Sequence, residues 1–166
     1  AEELRVRLSK LSNSIATIHV GAKSEFEQDE MIHRIEDALS ATRAAIEEGI
    51  VPGGGRALHI CANNLSTNLK GDELKGFEII KKALLAPTTK ISENGGYRPK
   101  SVIKKIEKLS KLESNTLIGF DAKEGVYGDL IELGIVDPVK VTKTALESAQ
   151  SIAGMLMLTS GVIIPN

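Results

Sequence analysis

The stretch SEFEQDEMIHRIEDALSATRAAIEEGIVPGGG, residues 24–55, predicts a long helix followed by a glycine-rich segment. Ser24 and Glu27 have the spacing of a capping box, in which each side chain accepts a hydrogen bond from the other residue's backbone N–H. Gly49 stands where a helix commonly ends. Apolar residues recur on one face between these two points, at Ile32, Ile35, Leu39 and Ile46. The pattern therefore predicts a helix over 25–48.

The rest of the chain is also rich in helical patterns. A β-branched run predicts a short strand over 15–20, and apolar residues on both sides of a turn predict a hairpin over 116–127. Asp72 and Asp137 have the positions of helix N-caps. Further helices are predicted at about 1–12, 56–66, 73–86, 87–94, 100–110 and 138–158. The predicted fold class is mainly α: a multi-helix bundle with a small β-hairpin and one short strand before the long helix.

The composition favours a packed helical protein. Of 166 residues, 21 are Lys or Arg and 22 are Asp or Glu, so the formal charge of −1 argues against a strongly basic nucleic-acid-binding protein. Aromatic residues are only 3%, so the core must be built from Ala, Val, Ile and Leu. The single cysteine, Cys61, excludes a disulfide framework and fits a reducing compartment. The sequence has no apolar run of membrane-spanning length and no secretory signal at its start.

The glycine triplet at residues 53–55 is one candidate site. Three glycines let a ligand approach the backbone closely, and the helix N-terminus after them offers free N–H groups and a partial positive charge. The triplet does not match a Walker loop, because no Lys-Ser/Thr pair follows it. A flexible joint between two helices needs the same residues, and the triplet read alone favours the joint.

Two acidic residues are candidates that also have simpler interpretations. At 100° per residue, Asp37 lies nearly opposite the apolar stripe of the long helix, so its carboxylate is either solvated or projects into a cleft as an acid or base. Asp137 is either an N-cap or an acceptor for ribose hydroxyl groups. Spacing alone favours the solvated interpretation for Asp37 and the capping interpretation for Asp137.

The histidines, the cysteine and the basic residues carry weaker signals. His19, His33 and His59 lack metal-binding spacing, and Cys61 has no activating neighbour, so structural or surface roles are expected. Six basic residues could form a nucleic-acid footprint, but they lie opposite an apolar stripe and have no aromatic residues between them, which favours a solvated helix face. They are Arg98, Lys100, Lys104, Lys105, Lys108 and Lys111.

Two ordered motifs together carry a resemblance that the single residues do not. The first is GAKSEFE at residues 21–27, followed by RIEDALSATRAAIEEGIVPGGG at 34–55. The second is GFDA at 119–122, followed by YGDLI at 127–131 and GIVDPVKVT at 134–142. In this order they resemble the group I chaperonins, the GroEL-like family, whose pattern has RxEDAxxATxAAxEEGxVxGGG and then GIxDPxKV. Residues between these motifs match the family in pattern more than in identity.

The resemblance implies a role for individual residues. Asp37 matches the carboxylate that the family uses for ATP hydrolysis, Gly54 matches a backbone contact to the nucleotide, and Asp137 matches the residue that holds the ribose. Three hairpin residues match the segment beside the base: Asp121, Ala122 and Lys123. The implied cofactor is ATP or ADP with Mg²⁺. The magnesium ligands and phosphate loops are expected outside this chain, and no metal ligand is expected within it.

The resemblance also implies domains and partners. Family members are much longer, so the chain is expected to be a C-terminal segment, with the end of an apical-domain helix at 1–14, an intermediate-domain segment at 15–48 and part of the equatorial, ATP-binding domain at 49–166. The implied partners are further copies in a homo-oligomeric ring, unfolded protein substrates and a co-chaperonin, with no nucleic acid and no membrane. The implied location is the cytoplasm or an organelle of bacterial origin. The isolated segment is expected to lack ATPase activity and to expose apolar patches.

Departures from the family pattern leave a second interpretation open. Phe120 stands where the family commonly has Tyr, and Lys123 stands where it has a small or apolar residue. A diverged chaperonin paralogue that acts as a non-ATPase interaction or scaffold protein would also carry such changes. Retention of Asp37 and Asp137 favours the ATPase.

Overall fold

The computed structural model describes Leu4, Arg7 and residues 16–161. Leu4 and Arg7 are helical, and the remainder of the helix predicted at 1–12 lies outside the described residues. Residues 16–161 form six helices and four short strands: α1 (Glu25–Glu48), β1 (Ile50–Pro52), α2 (Arg56–Asn64), α3 (Gly71–Ala83), α4 (Ala86–Asn94), α5 (Pro99–Leu112), β2 (Ile118–Asp121), β3 (Val126–Asp129), β4 (Val136–Pro138) and α6 (Val139–Leu158). The mainly α fold class is confirmed.

The chain divides into two compact units, Ala1–Ser40 and Ala41–Asn166. Helix α1 begins in the first unit as its sequence predicts, because Ser24 Oγ accepts a hydrogen bond from Glu27 N at 3.2 Å. It ends in the second unit, also as predicted, where Gly49 has a φ of +84°. The assignment of chain segments to apical, intermediate and equatorial domains remains a prediction.

The strand predicted over 15–20 is wrong for the described part of that segment. Residues 16–20 have no regular secondary structure, although Val20 O accepts a hydrogen bond from the side chain of Gln28 at 3.1 Å. A strand needs a neighbour for its backbone N–H and C=O groups, and within 16–161 no strand pairs with this segment. The β-branched residues favour an extended backbone, but without a partner strand among the described residues this segment does not form a β-strand.

The apolar stripe of α1 is more exposed than its periodicity predicts. None of the described α1 residues is buried, and the side chains of Leu39 and Ile46 are 43% and 80% exposed. Periodicity establishes which residues share a helix face, but burial also requires a surface to cover that face. The expectation of exposed apolar residues is therefore confirmed for this helix.

The second unit contains two antiparallel two-stranded ribbons. Strand β2 pairs with β3, with Phe120 opposite Tyr127, so the predicted hairpin is confirmed. Strand β1 pairs with β4, with Val51 opposite Asp137, and this ribbon was not predicted. Each of its strands has only three residues, too few for alternation to be recognised in the sequence.

The β1–β4 ribbon explains why the predicted cap at Asp137 is wrong. Asp137 lies within β4, and helix α6 has Pro138 at its N-cap with no side-chain cap hydrogen bond. The next residue, Val139, donates its N–H to Gly49 O at 3.1 Å and so continues the contact between the two chain segments. Because Asp137 pairs with β1 as a strand residue, the N-cap position of α6 falls on the next residue, Pro138.

The predicted cap at Asp72 is also wrong. Lys70 is the N-cap residue of α3, and Asp72 lies in the first helical turn. There its carboxylate accepts a hydrogen bond from Lys75 Nζ at 2.8 Å. A carboxylate in the first turn still interacts favourably with the helix dipole, which accounts for an acidic residue at this end.

The core of the second unit lies between α5 and the β2–β3 hairpin. Val102, Ile106 and Phe120 form a buried cluster, against which Ala122 and Tyr127 pack. The apolar stripe predicted for α5 is thus confirmed. The six basic residues named above are all exposed, as a solvated face requires.

Helix α6 presents a large exposed apolar surface. Its last two turns contain Ile152, Met155, Leu156, Met157 and Leu158, which are 56–87% exposed. This confirms the expected apolar patches in the second unit. None of the described helices is long and apolar enough to cross a lipid bilayer.

Candidate functional site

The glycine triplet forms the connection between β1 and α2. Gly53 N donates to Ile135 O at 2.9 Å, just before β4, and Gly53 O accepts from Arg56 N at 2.9 Å. Gly54 and Gly55 have φ values of +61° and +74°. This left-handed backbone conformation is rarely adopted by residues other than glycine. The triplet is therefore a tight turn held against β4.

Two of the three glycines are closely packed, and the contact at Gly55 excludes a larger residue. A methyl group at Gly53 would lie 3.1 Å from Ile135 O, and one at Gly55 would lie 2.7 Å from the backbone nitrogen of Thr88. The Thr88 hydroxyl also donates to Gly54 O at 3.3 Å. These contacts argue against the triplet as a flexible joint, because the turn is fixed by β4 on one side and α4 on the other.

Gly54 differs from its neighbours because the space beside it is open. The nearest atom to a methyl group there would be Phe120 O, at 3.8 Å, an ordinary van der Waals distance. The Gly54 backbone is therefore not crowded on the side where any other residue would carry a side chain. This turn, next to the N-terminus of α2 and the end of β2, is the feature that best fits ligand binding.

The turn of the β2–β3 hairpin is organised by Asp121. Its Oδ1 accepts hydrogen bonds from Lys123 N at 2.8 Å and from Glu124 N at 3.2 Å, and its carbonyl accepts from Gly125 N at 2.9 Å. Asp121 therefore shapes the loop through one carboxylate oxygen. The side chain of Lys123 is 88% exposed, and its Nζ lies 3.6 Å from Glu124 Oε1. The lysine that departs from the family pattern therefore extends into solvent.

Aromatic packing holds the hairpin in place. Phe120 contacts Tyr97 edge to face and Tyr127 at a tilt, with both pairs of ring centroids 4.8 Å apart. Lys105 Nζ lies 4.1 Å from the centroid of the Tyr127 ring. Burial, and secondarily the neighbouring Tyr97, raises the pKa of Tyr127 above its usual value, so the phenol stays neutral. The hairpin is thus anchored by its strands while its turn remains accessible.

Ala122 is part of this anchor. A methyl group at Gly95, the C-cap of α4, would lie 3.2 Å from Ala122 Cβ, so the helix end and the hairpin turn approach closely. Ala122 also packs against the buried α5–β2 cluster. The hairpin turn is therefore packed against both the end of α4 and the α5–β2 cluster.

The structure groups five of the six predicted site residues in one compact unit. Gly54 lies at the β1–α2 turn, residues 121–123 form the hairpin turn that follows Phe120, and half-buried Asp137 lies in the strand paired with β1. Asp37 is exposed on α1 and belongs to the other unit. Among the described residues, no group of His, Cys, Asp and Glu side chains is arranged to hold a metal ion.

Sequence reasoning missed a buried polar cluster on α2. Arg56 and His59 are 4% and 0% exposed, and His59 Nε2 lies 3.4 Å from Glu107 Oε1 of α5. Burial lowers the pKa of His59, Arg56 lowers it further, and Glu107 opposes both effects. The i, i+3 spacing of Arg56 and His59 puts them on one helix face and was the available signal. Cys61, for which a structural or surface role was expected, is exposed.

Comparison with known proteins gives one consistent result. The TCP-1/cpn60 chaperonin family matches residues 3–166. The chloroplastic chaperonin GroEL of Trieres chinensis is 46% identical over 167 residues, which is 98% of this chain and 31% of that protein. This chain therefore spans about a third of the length of that relative.

Solved structures agree with the sequence comparison. A group III chaperonin in the open state superposes with a TM-score of 0.77 at 28% identity, over 87% of this chain and 30% of that chain. An open-state monomer of a group II chaperonin from Methanococcoides burtonii gives a TM-score of 0.68 at 24% identity, over 82% of this chain and 35% of that chain. The second similarity concerns the fold alone.

Proposed function

The chain belongs to the TCP-1/cpn60 chaperonin family as a GroEL-like segment, and from this premise we propose that its second unit supplies one side of the ATP site of a chaperonin subunit. The observation that carries the proposal is the β1–α2 turn. It leaves the Cβ side of half-buried Gly54 free of close contacts, and β4, which contains Asp137, is paired with the strand that leads into the turn. A Gly-rich turn before a helix is a suitable surface for a phosphorylated ligand.

The individual roles follow the position of each residue. Gly54 is proposed to contact the nucleotide through its backbone, since its open side accepts close approach. Asp137 is proposed to accept hydrogen bonds from ribose hydroxyls. Its carboxylate does not cap α6, so its oxygens are not used for that purpose. The hairpin turn at residues 121–123 is proposed to lie beside the base. Magnesium supplies charge compensation for phosphoryl transfer when bound, and its ligands are proposed to lie outside this chain.

Asp37 is proposed as the catalytic carboxylate. It is exposed on a long helix, so its oxygens are free to orient a water molecule or accept a proton. Phosphoryl transfer depends mainly on positioning and charge compensation, and a rigid helix is a suitable support for such a group. We propose that nucleotide binding moves α1, with Gly49 as the joint. Among the described residues no atom lies within 4 Å of the Gly49 Cβ position, so side-chain packing does not restrain this residue, although its carbonyl accepts a hydrogen bond from Val139 N.

The complete subunit is proposed to be an ATP-dependent protein-folding machine. We assign 1–14 to the end of an apical-domain helix, 15–48 to an intermediate domain and 49–166 to an equatorial domain. Its proposed partners are identical subunits in a ring, non-native proteins and a co-chaperonin. The chloroplastic relative supports an organelle of bacterial origin as its location, with the cytoplasm of a bacterium as the alternative.

The central test is Asp37→Ala in the full-length subunit. We expect ATP turnover to fall about 100-fold, because a positioned acid–base group is removed, while ATP affinity changes less than about threefold. Asp29→Ala on the same helix is the matched control, since Asp29 is also exposed. Equal loss of binding and turnover would show that Asp37 does not act as a catalytic carboxylate.

The isolated 166-residue chain provides a second test. We expect no steady-state phosphate release above a buffer blank, since the phosphate loops are proposed to lie elsewhere in the subunit. Turnover that exceeds the blank and disappears in Asp37→Ala would contradict this. A full-length subunit that binds ATP but does not hydrolyse it would instead support a non-ATPase scaffold protein.

A further inference from the structure

Arg56 is a buried cation with incomplete hydrogen bonding. Its side chain is 4% exposed, Nε donates to Thr116 O at 3.1 Å and Nη2 donates to Ser110 Oγ at 2.8 Å. Both acceptors are uncharged. Among the described residues, Nη1 has no hydrogen-bond partner although it is shielded from solvent. A buried guanidinium is usually paired with an anion, because removing it from water carries a large cost in free energy.

The carboxylate of Glu107, which interacts electrostatically with Arg56, does not supply that pairing. Glu107 is directed to His59, with Oε1 at 3.4 Å from Nε2, and within the described part of the chain Arg56 forms no ion pair. Burial lowers the pKa of Arg56, and the charge of Glu107 only partly opposes this effect. Arg56 thus combines a positive charge with donor capacity that the protein does not satisfy.

A cleft of about 450 Å³ lies beside this residue. Arg56 lines it together with further donors from α2 and α5: Asn63, Asn64, Ser110 and Lys111. Lys111 is exposed at the surface, so one cation of the cleft is buried and the other contacts solvent. Glu107 also lines the cleft and would repel an anion there.

We propose that this cleft binds a phosphate group. The ammonium of Lys111 and the side-chain amides of Asn63 and Asn64 offer more donors than the two oxygens of a carboxylate can use, whereas a tetrahedral phosphate has an oxygen for each direction. The buried positive charge of Arg56 adds electrostatic attraction from the wall of the cleft. A volume near 450 Å³ also exceeds the size of the ion alone and leaves room for the organic part of a phosphate monoester. The site shares no residue with the proposed nucleotide site at Gly54, so either one can fail without the other.

Nuclear magnetic resonance titration of the ¹⁵N-labelled chain with inorganic phosphate tests the proposal. The control titration uses sodium chloride at equal ionic strength and pH. We expect saturable phosphate-specific shifts of the Arg56 Nε–H signal and of the Asn63 and Asn64 side-chain amides, with millimolar affinity. Because these signals report from inside the cleft, they separate this site from phosphate held at Gly54.

Three substitutions test whether phosphate affinity changes in the direction that the charges of the cleft predict. Lys111→Met should weaken phosphate binding about fivefold, since it removes a cation of the cleft. Lys108→Met is the matched control, because Lys108 is exposed on the same helix but does not line the cleft, and binding should stay within about twofold. Glu107→Gln should tighten binding about threefold by removing the repulsive charge while leaving an acceptor for His59.

Several results would overturn the proposal. Shifts that chloride reproduces, or that appear at Gly54 but not at Arg56, would exclude a phosphate site in the cleft. Equal weakening by the two lysine substitutions would indicate diffuse attraction to the basic face of α5. Weaker binding in a folded Glu107→Gln variant would also contradict it, since the proposed repulsion would then be absent.

Discussion

Gly55 lies directly against Thr88, so that a methyl group at Gly55 would come within 2.7 Å of the Thr88 backbone nitrogen and 2.8 Å of its Oγ1. The contact joins the start of α2 to the first turn of α4. The same Thr88 hydroxyl donates to Gly54 O. Packing therefore fixes the backbone of the turn at Gly55 and leaves the neighbouring Gly54 open on its Cβ side.

This contrast predicts different effects of alanine at the two glycines. Gly55→Ala should lower the free energy of unfolding by about 3 kcal/mol, because strain at positive φ adds to a clash with backbone that cannot move away. Gly54→Ala should cost about 1 kcal/mol from the positive φ alone. Urea unfolding of the chain, followed by circular dichroism, measures both values. Equal losses would mean that the packing against Thr88 is not the distinguishing feature.

Local signals were sufficient to predict the elements that depend on neighbouring residues. The capping pair Ser24 and Glu27 correctly located the start of α1, and Gly49 correctly located its end. The apolar stripe predicted opposite the basic residues of α5 was also correct, and Val102 and Ile106 of that stripe are buried. For α1 the interactions join residues within a few positions of one another, so the sequence contains the whole of them. For α5 the sequence specifies which residues share a face, and packing against Phe120 buries that face.

Interactions between distant segments could not be read in the same way. The ribbon in which Val51 pairs with Asp137 exists only because two three-residue segments meet in space, and the cap predicted at Asp137 failed for that reason. The burial of Arg56 also depends on a remote contact, its bond to Ser110 of α5. The glycine triplet was recognisable, but only the packing of Thr88 and Ile135 shows which glycine is open.

The aromatic contact at the base of the hairpin predicts a large effect from a single residue. Phe120→Ala should lower the free energy of unfolding by about 3 kcal/mol or more, because Phe120 is 6% exposed and packs between Tyr97 and Tyr127. Phe26→Ala is the matched control, since Phe26 is 80% exposed and should change the value by less than about 0.5 kcal/mol. Chemical denaturation of both variants provides the comparison. Similar values for the two would contradict the assigned core.

The position of Asp137 within β4 predicts an effect on binding that is separate from stability. In the full-length subunit, Asp137→Ala should weaken ATP binding about tenfold, through the loss of hydrogen bonds to a charged acceptor. Stability should change by less than about 0.5 kcal/mol, because the side chain caps no helix. Glu132→Ala, an exposed carboxylate before the same strand, is the control. Titration with a fluorescent ATP analogue measures affinity, and unchanged affinity in Asp137→Ala would remove this residue from the proposed site.

Because His59 is buried, we expect the free energy of unfolding of the second unit to fall at acidic pH. The pKa of His59 is lowered chiefly by burial and further by Arg56. His59 therefore binds a proton more readily in the unfolded chain than in the folded chain. The stability that depends on neutral His59 is therefore complete above the unfolded pKa of about 6.5 and is lost as the pH falls below it, by at most about 1.4 kcal/mol per pH unit. Urea unfolding at several pH values between 7.5 and 5 measures this slope. His59→Gln should reduce it, whereas His33→Gln should not, because His33 is exposed. If both substitutions leave the wild-type slope intact, some other group must cause the acid sensitivity.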